Sequence, residues 1–277
     1  MQKISEISKL EQIAKQIRID VVKSIAEAGS GHTGGSLGLA DVFTVLYFNI
    51  LNHKPENPEW KNRDKLILSI GHVAPVQYAA LAHSGYFPVE ELLTLRKLGS
   101  RLQGHPGKDK GLPGIEISSG SLGQGLSVAV GLAIAAKTDK KTIGIYSIHG
   151  DGELQEGSIW EAAMSAAHYK LDNLIALVDR NFVQIDGKTK DVMNIEPLED
   201  KWKAFGWYVI NCNGNSIGKL LDAFEKAKAL KGKPTVIIAE TKMGAGIKSI
   251  EDNYKWHGRA PTKEEVFRFI NEIKSSV

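Results

Sequence analysis

The sequence predicts an α/β fold, a single doubly wound and mostly parallel sheet with helices on both faces, with residues 1–277 as one domain. Two observations predict it. Short, continuously apolar runs recur along the chain, as expected of strands that are covered on both faces. Segments with helical spacing of apolar residues lie between those runs, and this alternation is typical of a doubly wound domain.

The elements follow in order along the chain. Apolar residues at helical spacing from Ile4 to Ile25 predict a first helix, which Gly29 ends. Strands are predicted at residues 66–70, 143–148, 174–178 and 236–239, with a weaker example at 207–210. Helices are predicted at residues 124–136, 158–168, 198–205 and 217–229.

Three glycine-rich, polar segments lie between the predicted elements, at residues 29–38, 100–125 and 184–196. They are longer than the connections of about 2–6 residues that are usual in α/β units. Long loops in such folds tend to carry function, and the binding crevice lies outside the carboxyl ends of the strands. We therefore expect the functional residues to gather in these loops at that edge.

The composition argues against several classes of protein. The net charge of +3 is spread along the chain, without the basic stripe of a nucleic-acid-binding protein. The longest apolar stretch, residues 127–136, is shorter than the roughly 20 residues that span a membrane. The single cysteine, Cys212, rules out a disulfide framework and is interpreted as a small buried hydrophobe. Since the N-terminus shows no targeting pattern, we expect a cytoplasmic protein.

A candidate metal site follows two of the predicted strands. Asp151 lies between two glycines after one strand, and Asn181 follows the next strand thirty residues later. With a backbone carbonyl near Val183, these groups would suit Mg²⁺, which takes oxygen ligands and commonly shares them with phosphates. The Gly-Asp-Gly tripeptide alone is more often a turn, with Asn181 as a strand-end cap. The spacing, with a strand before each element, favours a site for Mg²⁺ and a diphosphate.

Several motifs resemble those of known families. Gly150-Asp151-Gly152 followed by Asn181 resembles the thiamine diphosphate signature. Together with this signature, six blocks in family order resemble transketolase: Ser30-Gly31-His32-Thr33-Gly34, Gly71-His72, residues 99–106 (GSRLQGHP), residues 120–125 (GSLGQG), residues 150–157 (GDGELQEG) and Trp256-His257-Gly258. The blocks cover nearly the whole chain, so the ordered set is far more specific than any one of them.

The resemblance implies a role for each matching residue. It implies thiamine diphosphate as cofactor and Mg²⁺ as metal, with Ca²⁺ or Mn²⁺ as substitutes. The implied metal ligands are Asp151, Asn181 and the Val183 carbonyl. The implied contacts to the cofactor are His72, Gly152 and His257 at the diphosphate, Gly120 and Leu122 at the aminopyrimidine, and Ile185 beside the thiazolium. The implied catalytic residues are His32, His105 and His257, which face the substrate, and Glu156, which links paired active sites.

Ketol transfer needs proton shuttles, because a donor hydroxyl is deprotonated and the acceptor alkoxide is later reprotonated. Imidazoles, which ordinarily titrate near pH ~6.5, are suited to this work. The other histidines are interpreted as structural hydrogen-bonding residues: His53, His83 and His168. His149, directly before the metal motif, carries no assigned role.

The chain also departs from the family pattern. Thr33 stands where many relatives have proline, and no later strand–helix series follows before Val277. In the family, a second half supplies the glutamate that activates the aminopyrimidine and the groups that bind substrate phosphate. The resemblance therefore implies the N-terminal subunit of a split transketolase. Such a subunit pairs with a C-terminal, pyrimidine-binding subunit in an α₂β₂ assembly, which uses phosphorylated sugars, by default in pentose phosphate metabolism.

Two other hypotheses remain open from the sequence. One is a subunit of another thiamine diphosphate enzyme, such as 1-deoxyxylulose 5-phosphate synthase or a 2-oxo acid dehydrogenase. These enzymes share the Asp151 and Asn181 motifs, but they account less well for His105 and for Trp256-His257-Gly258. The other is an inert assembly subunit, for which the retained histidines would have no use.

Overall fold

The computed structural model describes residues 3–275 and contains a five-stranded sheet in the order β1-β2-β3-β7-β6. Every neighbouring pair in this sheet is parallel. The predicted fold class is therefore confirmed. The strands are β1 (Lys65–Leu68), β2 (Ile145–Gly150), β3 (Leu174–Arg180), β6 (Tyr208–Asn213) and β7 (Thr235–Glu240), and a separate antiparallel hairpin is formed by β4 (Val183–Gln184) and β5 (Gly187–Lys188).

Helices pack on both faces of this sheet. The described part of the chain forms α1 (Ile7–Ala28), α2 (Thr33–Gly38), α3 (Ala40–Val45), α4 (Ala74–His83), α5 (Gln124–Thr138), α6 (Gly157–His168), α7 (Thr189–Val192), α8 (Leu198–Ala204), α9 (Ile217–Ala229) and α10 (Lys263–Ser275). Gly29 ends α1 in the left-handed conformation, with φ 66°, as the sequence predicts. No helix within residues 3–275 has the length and hydropathy needed to cross a membrane.

The continuous apolar runs arise because alternate strand residues enter two different cores. In β3, Ile175 and Leu177 pack into the core beneath α1, α3, α4, α9 and α10. Ala176 and Val178 point the opposite way, into the core beneath α5, α6 and α8. The central strands are thus buried on both faces, whereas only Ile210 is buried in the edge strand β6. This burial leaves the carboxyl ends of the strands and the following loops as the places where polar residues can gather.

Several predicted boundaries and loops are wrong. The first helix begins at Ile7 rather than Ile4, and β2 runs two residues later than residues 143–148. The segment 29–38 contains α2, and the segment 184–196 contains part of the hairpin and α7. Gly34 and Gly38 let α2 lie directly on the loop at 242–243, because a Cβ on Gly34 would come within 2.5 Å of Met243. Tertiary packing therefore makes helical a glycine-rich segment whose local propensity favours a loop.

Candidate functional site

Four histidines that are far apart in the sequence lie together. The ring centroid of His32 is 4.9 Å from that of His72, 6.2 Å from that of His105 and 5.7 Å from that of His257. His72 and His257 are 5.1 Å apart by the same measure. The structure thus brings together all four histidines that the sequence predicts at the cofactor and the substrate.

Three histidines of this cluster are held by different elements. His32 directly precedes α2, and His72 lies in the single turn of 3₁₀-helix between β1 and α4. His257 follows the turn Tyr254–Trp256, which is fixed by the packing of Trp256 on Phe269 of α10. Because these elements belong to the main core, the spacing of the rings is set by the fold rather than by one loop.

Burial keeps these imidazoles neutral. It lowers the pKa of His32 to about 4, with further lowering from the charges of His257, Arg96 and His105. Burial likewise lowers the pKa of His72 to about 3 and lowers the pKa of His105 and of His257. The pKa of each of these four rings is therefore below the ordinary value of ~6.5. The Nδ1 atoms of His32 and His257 are buried without a hydrogen-bond partner among the described residues, so they are available to a ligand.

The lowered pKa of His32 predicts acid destabilisation. The folded chain holds the ring neutral, whereas the unfolded chain protonates it near its ordinary pKa of ~6.5. This contribution to stability is complete above that pH and is lost as the pH falls toward about 4. Lowering the pH from 7.5 to 4.5 should therefore reduce the Tm less in His32→Asn than in the unaltered chain or in the exposed control His168→Asn. The Tm is measured by thermal unfolding at each pH. Equal losses in all three would contradict this prediction.

Arg96 lies beside the histidine cluster, and sequence reasoning missed it. It adopts a positive φ of 60°. Its guanidinium packs under Gly104, where a Cβ would come within 2.5 Å of Cζ. Its charge contributes to the lowered pKa of both His32 and His105. The arginine carries no motif of its own, so only the fold reveals that it faces the site.

The predicted metal loop (residues 150–152) follows β2. Asp151 is 1% exposed. Its Oδ1 accepts a hydrogen bond from the Gly152 N–H at 2.7 Å, and its Oδ2 accepts one from the Phe182 N–H at 2.8 Å. Burial raises the pKa of Asp151, and the Arg180 guanidinium opposes that shift. The carboxylate is thus oriented by backbone groups from its own loop and from the end of β3.

Asn181 lies at the end of the neighbouring strand. Its Nδ2 donates to Asp179 at 2.7 Å, and its Oδ1 accepts from the Val183 N–H at 3.0 Å. Strand pairing places Gly150 opposite Asp179, so the two predicted ligand loops leave the sheet side by side. One carboxylate, one amide and one backbone carbonyl suit Mg²⁺ when diphosphate oxygens complete the shell. Accordingly, residues 3–275 contain no group of three acidic, cysteine or histidine side chains that would hold a metal by itself.

Arg180 was not assigned a role from the sequence. Its Nη1 donates to Asp151 Oδ2 at 2.8 Å, and its Nη2 donates to Glu196 at 2.6 Å. The guanidinium also lies 4.1 Å from the ring centroid of Phe182. Arg180 therefore joins the predicted metal ligand to the far end of the segment 184–196, a link that needs the tertiary fold to be seen.

The predicted contacts to the aminopyrimidine lie in the pyrimidine loop (residues 119–125). Gly120 has φ 146°, and a Cβ there would come within 3.1 Å of the His105 ring. Bare backbone therefore approaches the histidine cluster at this point. Leu122 is half-buried, and Glu156 is exposed at the start of α6. Ile185 is 61% exposed, in the turn of the β4–β5 hairpin. The structure thus gathers Gly120 with the histidines but leaves Ile185 and Glu156 on the surface.

The remaining predicted residues have contacts of their own. His53 stacks on Tyr86, and His83 bonds to Asp20 at 2.7 Å. Cys212 is half-buried, and burial raises the pKa of its thiol to about 11, which makes it a poor nucleophile.

A cleft of about 1300 Å³ opens beside the predicted metal site. It is lined by Asn181 and Phe182 after β3, by Asn213 at the end of β6, and by Glu240 at the end of β7. The cleft therefore lies at the carboxyl edge of the parallel sheet, where ligands bind in open α/β folds. Neither Asp151 nor the four clustered histidines line it.

Residues 9–273 match the family described as transketolase, thiamine diphosphate binding domain. This chain belongs to the transketolase family. It is 48% identical to a subunit of the apulose-4-phosphate transketolase of Actinobacillus succinogenes, over 96% of each chain. It is 45% identical to the 6-deoxy-6-sulfo-D-fructose transketolase subunit of Clostridium sp. (strain MSTE9), over 92% of each.

The fold is also similar to that of a solved transketolase. The structure of transketolase from Campylobacter jejuni superposes with a TM-score of 0.90 at 38% sequence identity. The alignment covers 96% of this chain and 43% of that one. This chain therefore corresponds to less than half of that transketolase, whereas the two bacterial subunits align over nearly their whole length.

Proposed function

We propose that this chain is the diphosphate-binding subunit of a two-chain transketolase, which moves a two-carbon ketol unit from a ketose phosphate to an aldose phosphate. Family membership makes it a ketol-transferring enzyme of the thiamine diphosphate type. The observation that carries the proposal is the convergence of four histidines from remote segments beside the bare backbone of Gly120.

The cofactor would lie between the metal loop and the histidine cluster. Asp151, Asn181 and the Val183 carbonyl would hold Mg²⁺, with the Gly152 backbone, His72 and His257 around the diphosphate. Bound thiamine diphosphate supplies the electron sink for the carbanion that ketol transfer requires. The Nδ1 atoms of His32 and His257 are buried without a partner among residues 3–275. They support the proposal, because a buried polar atom is costly to leave unpaired and a bound ligand would pair it.

His32, His105 and His257 would bind the sugar hydroxyls and move protons. Neutral imidazoles suit the first step, because a neutral ring nitrogen can accept the proton of the donor hydroxyl. The lowered pKa of each ring keeps that form dominant at neutral pH. A substrate or cofactor phosphate nearby would raise the pKa of these histidines, since an anion favours the imidazolium that forms during transfer.

A second chain would complete the site. The relatives that this chain matches over 92–96% of their length are named as subunits. Four large apolar side chains are exposed beside the metal loop and would be covered by the cofactor and the partner: Phe182, Ile185, Val192 and Met193. The partner would supply the glutamate for the aminopyrimidine and the groups that bind substrate phosphate.

The α₂β₂ assembly is supported by the exposed face of α5. This helix carries no charged residue before Lys137. Its exposed positions follow helical spacing: Gln124, Ser127, Val128, Gly131 and Ala135. On α6, which packs against α5, Met164 is 59% exposed and Glu156 lies at the helix start. An uncharged face of this kind is typical of a helix that packs against another chain, so two copies would meet here with their Glu156 side chains close to the contact.

A charge on this face should separate the copies. Val128→Glu places a carboxylate in the middle of the uncharged stripe, where packing against a second copy would desolvate it. Sedimentation velocity of the assembled enzyme should show half the mass of the unaltered complex. Glu225→Gln on the exposed face of α9 is the control and should leave the mass unchanged. Retention of the full mass in Val128→Glu would contradict this interface.

The class of the substrates is indicated by the names of the two bacterial relatives. The named relatives act on apulose 4-phosphate and on 6-deoxy-6-sulfo-D-fructose, sugars that carry an anionic group at the end away from the ketol. We place the substrates of this chain among such anionic ketoses and aldoses, with the pentose phosphates as the first to be tested.

The test is a ketol-transfer assay on the chain mixed with candidate pyrimidine-binding partners, thiamine diphosphate and Mg²⁺. Ketose cleavage and formation of a two-carbon-longer product should appear only when both chains are present. Consumption of pyruvate without ketose cleavage would instead identify a subunit of another thiamine diphosphate enzyme. Cofactor binding without transfer with any partner or sugar phosphate would favour an inert subunit.

A further inference from the structure

A buried carboxylate that the proposed chemistry does not use lies directly behind the metal loop. Glu153 is 2% exposed. Its Oε1 accepts a hydrogen bond from the Gly123 N–H at 2.8 Å, and its Oε2 accepts one from the Gly150 N–H at 3.2 Å. Gly123 belongs to the pyrimidine loop and Gly150 to the metal loop. One side chain therefore binds the backbones of both loops.

Ser69 extends this connection to the end of β1. Its hydroxyl donates to Glu153 Oε1 and accepts from the Gly125 N–H at 3.1 Å. The segment that follows Ser69 carries His72, which the proposed function places at the diphosphate. Three separate parts of the chain are thus fixed to one another around Glu153.

The pyrimidine loop packs closely against Ser69 and Ser158. A Cβ on Gly125 would come within 2.4 Å of Ser69, and a Cβ on Gly123 would come within 2.6 Å of the Ser158 hydroxyl. Ser158 also donates to the Gly123 carbonyl at 3.0 Å. The Gly123 residue is therefore held at its N–H by Glu153 and at its carbonyl by Ser158, so its position relative to the metal loop is defined.

His149, to which the sequence assigns no role, contacts the same carboxylate from β2. It is fully buried, with its Nδ1 at 3.2 Å from Glu153 Oε2 and its Nε2 at 2.9 Å from the Ser147 hydroxyl. Glu153 is thereby held by a partner on β2 in addition to the donors from Ser69, Gly123 and Gly150. A buried carboxylate with this many partners is rigid, because each alternative orientation would leave donors unpaired.

We propose that Glu153 is a positioning residue that fixes the distance between the pyrimidine loop and the metal loop, so that both ends of one cofactor molecule are met at once. The proposal rests on the proposed function, which places the aminopyrimidine at the first loop and the Mg²⁺–diphosphate at the second. A ligand that touches both loops gains from their fixed spacing, whereas a ligand that touches only one loop does not. The Asp151 carboxylate accepts its backbone hydrogen bonds from Gly152 and Phe182, so these bonds remain when Glu153 is replaced.

The experiment compares a two-ended ligand with a one-ended ligand in the assembled two-chain enzyme. The dissociation constants of thiamine diphosphate and of inorganic diphosphate are measured by calorimetry, both with Mg²⁺. Glu153→Ala leaves the N–H groups of Gly123 and Gly150 unpaired, so it should weaken the binding of thiamine diphosphate by at least ~10-fold. It should weaken the binding of inorganic diphosphate by less than ~3-fold, since that ligand does not reach the pyrimidine loop. Glu225→Gln is the exposed control, with neither constant changed.

Ser69→Ala provides a milder second variant, because it removes the bonds to Glu153 and to the Gly125 N–H and keeps the carboxylate. It should shift the ratio of the two constants in the same direction, even where Glu153→Ala does not fold. An equal loss for both ligands would overturn the proposal, because Glu153 would then support the metal loop alone. A lower Tm with both constants unchanged would also overturn it. If the unaltered complex binds no thiamine diphosphate at all, the proposed function fails and this inference falls with it.

Discussion

Replacing Asp151 by asparagine is expected to weaken Mg²⁺-dependent thiamine diphosphate binding by at least about 100-fold, since even residues behind metal ligands change metal affinity about 10–100-fold. The amide keeps the size of the side chain and an oxygen for the Phe182 N–H, but it lacks the negative charge that holds a divalent cation. Binding is measured by calorimetry on the assembled enzyme, with and without a chelator.

Asparagine is the informative substitution because alanine would disturb the fold. Asp151→Ala leaves Arg180 without its 2.8 Å partner in a buried site, which should lower the free energy of unfolding by about 3 kcal/mol. Asp222→Asn on the exposed face of α9 is the matched control. If Asp151→Asn keeps the full Mg²⁺ dependence of cofactor binding, Asp151 is not a metal ligand.

Replacing His32 by asparagine is expected to lower kcat/KM for ketol transfer by about 10²–10⁴, the usual contribution of a positioned acid–base group. His32 is the ring that contacts the other three histidines of the cluster, and its buried Nδ1 has no partner within residues 3–275. Because it is not among the proposed diphosphate contacts, the cofactor dissociation constant should change by less than ~3-fold.

Steady-state kinetics and cofactor titration of the same preparation separate the two effects. His83→Asn is the control, since His83 bonds to Asp20 on α1 and takes no part in the cluster. A loss of cofactor affinity that accounts for the whole loss of activity would contradict the catalytic role of His32.

The sheet could be predicted because four of its five strands are continuous apolar runs that serve two cores, with β6 as the weaker signal. Helix α4 could not be predicted, because it is buried all round and has no amphipathic period to detect. Helix α10 was not predicted, although Val266, Phe269, Ile270 and Ile273 recur at helical spacing and pack on the core. α2 was obscured by its glycines, which serve close packing on Met243 rather than flexibility.

The candidate site also contains residues that could be predicted from the sequence and residues that could not. Residues in ordered motifs, such as His72 and Asp151, could be named from the sequence, and the fold then placed the four motif histidines together. Arg96, Arg180 and Glu153 could not be assigned roles, because their importance lies in contacts with residues that are distant along the chain or on another strand. Glu153 lies inside a recognised motif, yet only its bonds to Gly123 and Ser69 show what it holds.

Native mass spectrometry tests the central claim, that the cofactor site is shared between two chains, most directly. The chain, its pyrimidine-binding partner, thiamine diphosphate and Mg²⁺ are mixed and compared with each chain alone. The mixture should give a complex of two copies of each chain with two thiamine diphosphates, and neither chain alone should retain the cofactor. Full cofactor occupancy on this chain without the partner would contradict the claim.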